Sequence, residues 1–175
     1  MPGSWVASDF PNLTARNHAI TSDYDTDYNC IAWAAGDTSR WWWPDDEDSY
    51  WPEGALNEES LDGFLSAYGR LGFIECGGPQ FEQGFEKVAL YAQHSQGGWI
   101  PTHAARQLPD GKWTSKLGPL EDIGHDTVDA VACTTYGRPI KYMKRKSEAH
   151  KLPLPSLLSV RISSAWRGLR SFLSV

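Results

Sequence analysis

Apolar residues recur with two different periods along the chain, and the change falls near residue 85. Over residues 57–71, Leu61, Phe64, Leu65 and Tyr68 recur at i, i+3, i+4 and i+7, which predicts a helix with one buried face. Asn57 suits its cap, Glu58 and Glu59 its first turn, and Gly72 its stop. Upstream, Tyr28-Asn29-Cys30-Ile31-Ala32-Trp33-Ala34 reads as a shorter apolar helix, with Asp27 or Asn29 as its cap and Gly36 at its end. Beyond residue 85 the pattern alternates. Residues 87–92, 102–108 and 113–116 predict three consecutive antiparallel strands, the last two joined by hairpin-turn chemistry at Pro109-Asp110-Gly111-Lys112. Alternation places His103, Ala105 and Gln107 on one face and Ala104, Arg106 and Leu108 on the other.

Weaker signals fill the remainder. Residues 73–76 read as a short strand stopped by Gly77-Gly78, and residues 127–132 as a short helix capped by Asp126 or Thr127. Residues 136–143 read as a last strand, placed at a sheet edge by Pro139 and the lysines. Residues 1–22 read as an irregular lead-in pinned by Trp5, Phe10 and Leu13, with His18 at the surface. The order helix, helix, antiparallel strands predicts an α+β domain over residues 1–146. Pro153 and Pro155 mark a linker over residues 147–155. In residues 156–175, Leu158, Ile162, Trp166, Leu169 and Leu173 form one helical stripe beside Arg161, Arg167 and Arg170. A basic amphipathic segment of this kind suits a membrane surface, a partner protein or the chain's own domain.

Composition narrows the function classes. With 175 residues, 41% hydrophobic and 22% charged, the chain can bury a sizeable core. The net charge of −6 hides a split: residues 22–65 carry twelve acids and one base, residues 138–170 nine bases and one acid. The acidic stretch argues against nucleic-acid binding near Cys30 and is compatible with a basic substrate. Nine tryptophans point to aromatic groove walls or plugs. Trp41-Trp42-Trp43 cannot all face one core, so at least one is expected at the surface, where it could line a cleft. Cys30, Cys76 and Cys133 show no C-x-x-C spacing, so no metal site or cofactor is expected. No signal-peptide pattern and no apolar run of transmembrane length is visible. The expected setting is reducing and cytoplasmic, or reached by export without a cleaved signal.

The candidate chemistry centres on Cys30. A cysteine at a helix N-terminus lies beside the positive end of the dipole, which favours the thiolate nucleophile. The competing reading is a small buried hydrophobe in an Ile-Ala-Trp-Ala setting. A thiol nucleophile needs a base, and His103, opening a strand in the middle of the antiparallel run, is preferred over His18, His94, His125 and His150. Cys76 and Cys133 read as structural.

A cysteine at a helix start followed by a histidine opening an antiparallel strand resembles the papain-like cysteine hydrolases, nearest to the compact NlpC-type peptidases and amidases. The phrases around Cys30, Thr102-His103-Ala104-Ala105-Arg106-Gln107 and Trp113-Thr114-Ser115-Lys116-Leu117-Gly118 with His125 also resemble an uncharacterised bacterial papain-like domain. The resemblance implies a papain-like α+β fold, its cysteine helix packed on a central antiparallel sheet. It implies Cys30 as nucleophile and His103 as general base for cleavage of an amide bond in a peptide, protein or peptidoglycan. The third group stays open among Ser115, Asp110, Asp122 and His125. No glutamine shortly precedes Cys30, so Tyr24 or Asn29 would stand in as oxyanion donor. Asn29, Trp33, Trp42 and Trp43 are the candidate substrate-binding residues. A delivered toxin and a retained processing peptidase fit equally. The alternative is an inactive papain-like scaffold serving as a protein-binding or immunity-type module through residues 41–52 and 156–175. Acyl transfer by the same thiol would differ only in the acceptor.

Overall fold

The computed structural model describes residues 9–147. In chain order the elements are β1 (His18–Ile20), α1 (Cys30–Ala35), α2 (Leu61–Arg70), β2 (Ile74–Cys76), β3 (Phe85–Ser95), β4 (Gly98–Gln107), β5 (Trp113–Lys116), β6 (Asp122–His125), a short 3-10 helix (Val128–Val131) and β7 (Arg138–Lys146). All seven strands join one antiparallel sheet in the order β1-β6-β5-β4-β3-β7-β2. This corrects the expected papain-like α+β fold. The domain is mainly β, because the two α-helices span only six and ten residues while strand extends through most of residues 85–146. The predicted linker and amphipathic segment, Trp5 and His150 lie outside the described residues.

Local signals explain the elements that form. Asn29 caps α1, its Oδ1 accepting from the Ala32 amide at 3.0 Å. Gly36 ends it with φ at +89°, a conformation that L side chains rarely adopt. The second helix starts later than its charge pattern predicts. Ser60, not Asn57, supplies the cap by accepting from the Gly63 amide. The hairpin between β4 and β5 turns at Gly111, φ +87°, and Leu108 N–H closes on the Lys112 carbonyl at 2.7 Å.

Two strands escape the alternation pattern. β1 pairs with β6 in the register His18↔His125 and has no other neighbour in the sheet, so it forms only because β6, distant in sequence, is present. β7 is not at an edge as predicted but lies between β3 and β2. Pro139 is tolerated there because it sits opposite Tyr91 at a register shift, where a missing N–H breaks no regular ladder. The basic residues of β7 are paired across strands and loops: Lys141 with Glu75, Lys144 with Glu82 and Arg145 with Glu86.

Both faces of the sheet are covered. Val88 and Leu90 of β3 pack under Ile31, Phe64 and Tyr68 of the helices, while Ala89 and Tyr91 face Trp113, Ile123, Val128 and Val131. A central strand buried on both sides loses the polar half of its alternation, as β3 does. Fully burying side chains such as Ile31, Phe64 and Leu90 contributes roughly 1.5–3 kcal/mol each. Ala32 and Ala34, both buried, let α1 lie close on β4 and β5.

Candidate active site

Cys30 is the first residue of α1 and is 7% exposed. Its own amide, that of Ile31 and that of Ala104 on β4 face the sulfur. The Ala104 amide is available because β4 and β5 pair only at Arg106↔Thr114 and Gln107↔Trp113. Two residues before Arg106, Ala104 directs its amide to the same side of the strand, but β5 has moved away and the sulfur occupies its place. Burial nevertheless pushes the thiol up to about 11, and the three amides only partly offset it. The thiolate expected from the helix tip is therefore not the resting form: desolvation outweighs the dipole of a two-turn helix.

His103 is completely buried and projects from the opposite face of β4. It stands directly across from Tyr91 and stacks on Tyr136 with ring centroids 4.0 Å apart and planes 7° from parallel. Its Nε2 lies 3.1 Å from Ser115 Oγ. Ser115 Oγ lies 3.0 Å from His125 Nε2, and His125 Nδ1 lies 2.8 Å from the Thr127 carbonyl. That carbonyl can only accept, so His125 carries its proton on Nδ1. Burial lowers the pKa of both histidines, His125 to about 4 and His103 well below the usual range, so both rings are neutral. His125 Nε2 must then accept from the Ser115 hydroxyl, Ser115 Oγ must accept from His103 Nε2–H, and His103 Nδ1 is left as a bare lone pair. That atom is buried and has no hydrogen-bond partner. One carbonyl thus fixes the tautomers of two rings and leaves an acceptor next to the strand segment whose amide meets the sulfur.

The structure brings Cys30, His103, Ser115 and His125 to the parting of β4 and β5, with the thiol on the helix face and the other three on the opposite face. No hydrogen bond joins the sulfur to the ring. Ser115 directly partners His103, and His125 stands next in line. Asp110 lies in the exposed hairpin turn, its Oδ1 accepting from the Lys112 amide. Asp122 points to the helix face, where it accepts from the Tyr28 hydroxyl at 2.6 Å. Of the proposed substrate contacts, Asn29 and Trp42 are buried and hold α1 to its following loop: Asn29 Nδ2 donates to the Trp42 carbonyl at 2.8 Å. Trp43 packs edge-on against Phe64. Trp33 donates to Thr114 Oγ1 at 3.2 Å and stacks on Tyr28. Trp41, at 39% exposure, is the tryptophan of the triplet most open to solvent.

Sequence reasoning missed Tyr136, which covers the His103 ring, and Thr127, whose carbonyl sets the relay. A backbone carbonyl carries no residue-type signal, and Tyr136 comes from a loop distant in sequence. Among the described residues no group of three His, Cys, Asp or Glu could hold a metal ion, and no helix is long and apolar enough to cross a membrane. The chain belongs to the family described as a domain of unknown function (DUF7689), which it matches over residues 19–144. No curated protein and no solved structure matches it.

Proposed function

We propose that this DUF7689 member is a thiol-dependent hydrolase of amide bonds in a peptide, protein or peptidoglycan, with Cys30 as nucleophile and His103 as general base. The observation that carries the reading is the bare, buried Nδ1 of His103, held in the accepting tautomer by Ser115, His125 and the Thr127 carbonyl. A buried acceptor without a partner costs roughly 1–3 kcal/mol. Gln107 Oε1 and Asp122 Oδ1 are in the same state, but among the three only His103 Nδ1 is a ring nitrogen, the kind of group that acts as a base near neutral pH. In the reaction, the Cys30 S–H proton passes to His103 Nδ1 through the parting of β4 and β5, a movement required because thiol and ring start on opposite faces, as the sulfur bonds to the carbonyl carbon. The same proton then goes to the departing nitrogen, leaving a thioester. Water, deprotonated by His103, releases the acid and restores the thiol. Because thiol and ring are both neutral at rest, proton transfer accompanies attack rather than preceding it. Catalytic hydrogen bonds in substrate-free enzymes are commonly long and tighten once substrate is bound.

A binding module on the same scaffold is the second reading. The 7% exposure of Cys30 and its raised pKa favour it. Intact-mass analysis after exposure to an activated ester at neutral pH separates the two. The hydrolase predicts acylation at Cys30 in preference to Cys76 and Cys133, slowed roughly a hundredfold or more in His103→Ala. Acylation indifferent to His103, or absent from Cys30, leaves the binding module. Iodoacetamide, which needs free thiolate, should react slowly at neutral pH and accelerate toward pH 11.

A further inference from the structure

A concave region lies toward the other end of α1, where Arg106 approaches Gly36, and has no part in the thiol chemistry. It is a cavity of about 780 Å³ lined by Phe81, Phe85, Leu108 and Pro109, with Arg106, Arg145, Glu86 and Gln107 among its polar residues. That volume falls within the range of small-molecule sites, and its exposed wall is more apolar than polar although Gln83 and Ser147 also line it.

The charges in it are not equivalent. Arg145 is engaged: Nε and one terminal nitrogen reach Glu86 at 2.9 Å, and the other donates to the Leu71 carbonyl at 3.2 Å. Arg106 makes no hydrogen bond and no salt bridge with any described residue. Its guanidinium lies 4.8 Å from the Trp33 ring centroid, and Nη1 approaches Gly36, where an added Cβ would lie 3.4 Å away. The group is partly desolvated, with its donors unspent. A guanidinium held on an aromatic face and presented to a cavity is arranged for bidentate recognition of an oxyanion. With Glu86 cancelling Arg145, the lining carries one net positive charge.

We propose that this cavity binds a small organic monoanion, a carboxylate on an apolar or aromatic body, with Arg106 gripping the carboxylate and Phe81, Phe85 and Leu108 enclosing the body. A phosphate dianion would exceed the single uncompensated charge. The proposal does not rest on the thiol reading, since neither Cys30 nor His103 lines the cavity.

Titration calorimetry on the full chain tests it, with phenylacetate as the probe and phenylacetamide, acetate and phenyl phosphate as comparisons. Saturable binding of phenylacetate is expected, with the amide, which lacks the charge, and acetate, which lacks the body, each weaker by about tenfold or more. Phenyl phosphate should bind more weakly than phenylacetate. Arg106→Gln, which keeps the stem on Trp33, should weaken phenylacetate by about tenfold or more. Phe81 is 47% exposed, so Phe81→Ala can be made without emptying the core, and it should weaken binding by a few-fold. No saturable binding, equal affinity for acid and amide, a preference for the phosphate, or full affinity in folded Arg106→Gln would each overturn the proposal. Were Arg106→Gln to unfold, undiminished binding in Phe81→Ala would overturn it instead.

Discussion

Strands β5 and β6 supply two buried polar clusters, one to each face of the sheet, and the clusters are built on opposite principles. On the helix face, Lys116 stands directly across from Asp122, with Nζ 3.9 Å from Oδ1, while Tyr28 donates to Oδ2 and its ring lies under the ammonium group at 4.6 Å. Lys116 also donates to the Leu120 carbonyl. On the other face, Ser115 and His125 alternate with those residues and extend to His103 as a neutral chain. The first cluster balances charge against charge. The second carries no charge and ends in an unused lone pair. Charge neutralised within a cluster holds strands together, whereas burial keeps the second chain neutral and leaves one ring nitrogen as an open acceptor.

The largest expected effect breaks the charged side. Asp122→Ala leaves Lys116 buried without its counter-ion and should cost roughly 3–5 kcal/mol in urea denaturation. A loss below about 1 kcal/mol would mean that the pair contributes no more than a surface one.

Acid should act next, through the neutral side. A histidine whose folded pKa is depressed resists protonation in the native state, so the unfolded chain takes up more protons as pH falls. Stability is therefore full above about 6.5 and is lost as pH drops through 6.5 toward the folded value, about 4 for His125. For His125 alone this amounts to roughly 3 kcal/mol. His125→Gln should flatten the dependence over that window; an unchanged slope would show that the ring titrates freely.

The smallest effect sharpens the contrast. Ser115→Ala removes the link between the rings and strands two buried nitrogens, at roughly 1–3 kcal/mol. Nitrogen chemical shifts of His103 should report the Nε2–H tautomer in the parent and a loss of that preference in the variant. A variant that keeps the tautomer would show that something other than Ser115 fixes it.

The sequence made Cys30, its cap Asn29, and the face shared by His103, Ala105 and Gln107 legible, because each depends on neighbours within a few residues. Ser115 was one of four residues open as the third group, and its contact with His103 depends on how β5 lies against β4 in the fold. The thiol's upward shift was not legible. A helix tip is a local signal, but desolvation sums over Tyr68, Leu90, Ala104 and other residues that meet only in the fold. The same holds for the balance of fold class. β1 is three polar-flanked residues with no alternation of their own, whereas α1 keeps the short span between Asn29 and Gly36 that its caps predict. Nor could spacing reveal that cysteine and histidine reach β4 from opposite faces, since that depends on where β5 departs.

The sheet ends at both margins in three-residue strands, β1 and β2, and the second holds a Glu75–Lys141 ion pair beside the exposed Ile74. A foreign strand laid along β1 or β2 would find only three residues to pair with. A sheet this wide could otherwise present long open edges, and its stunted borders shorten the ladder that a second copy could extend.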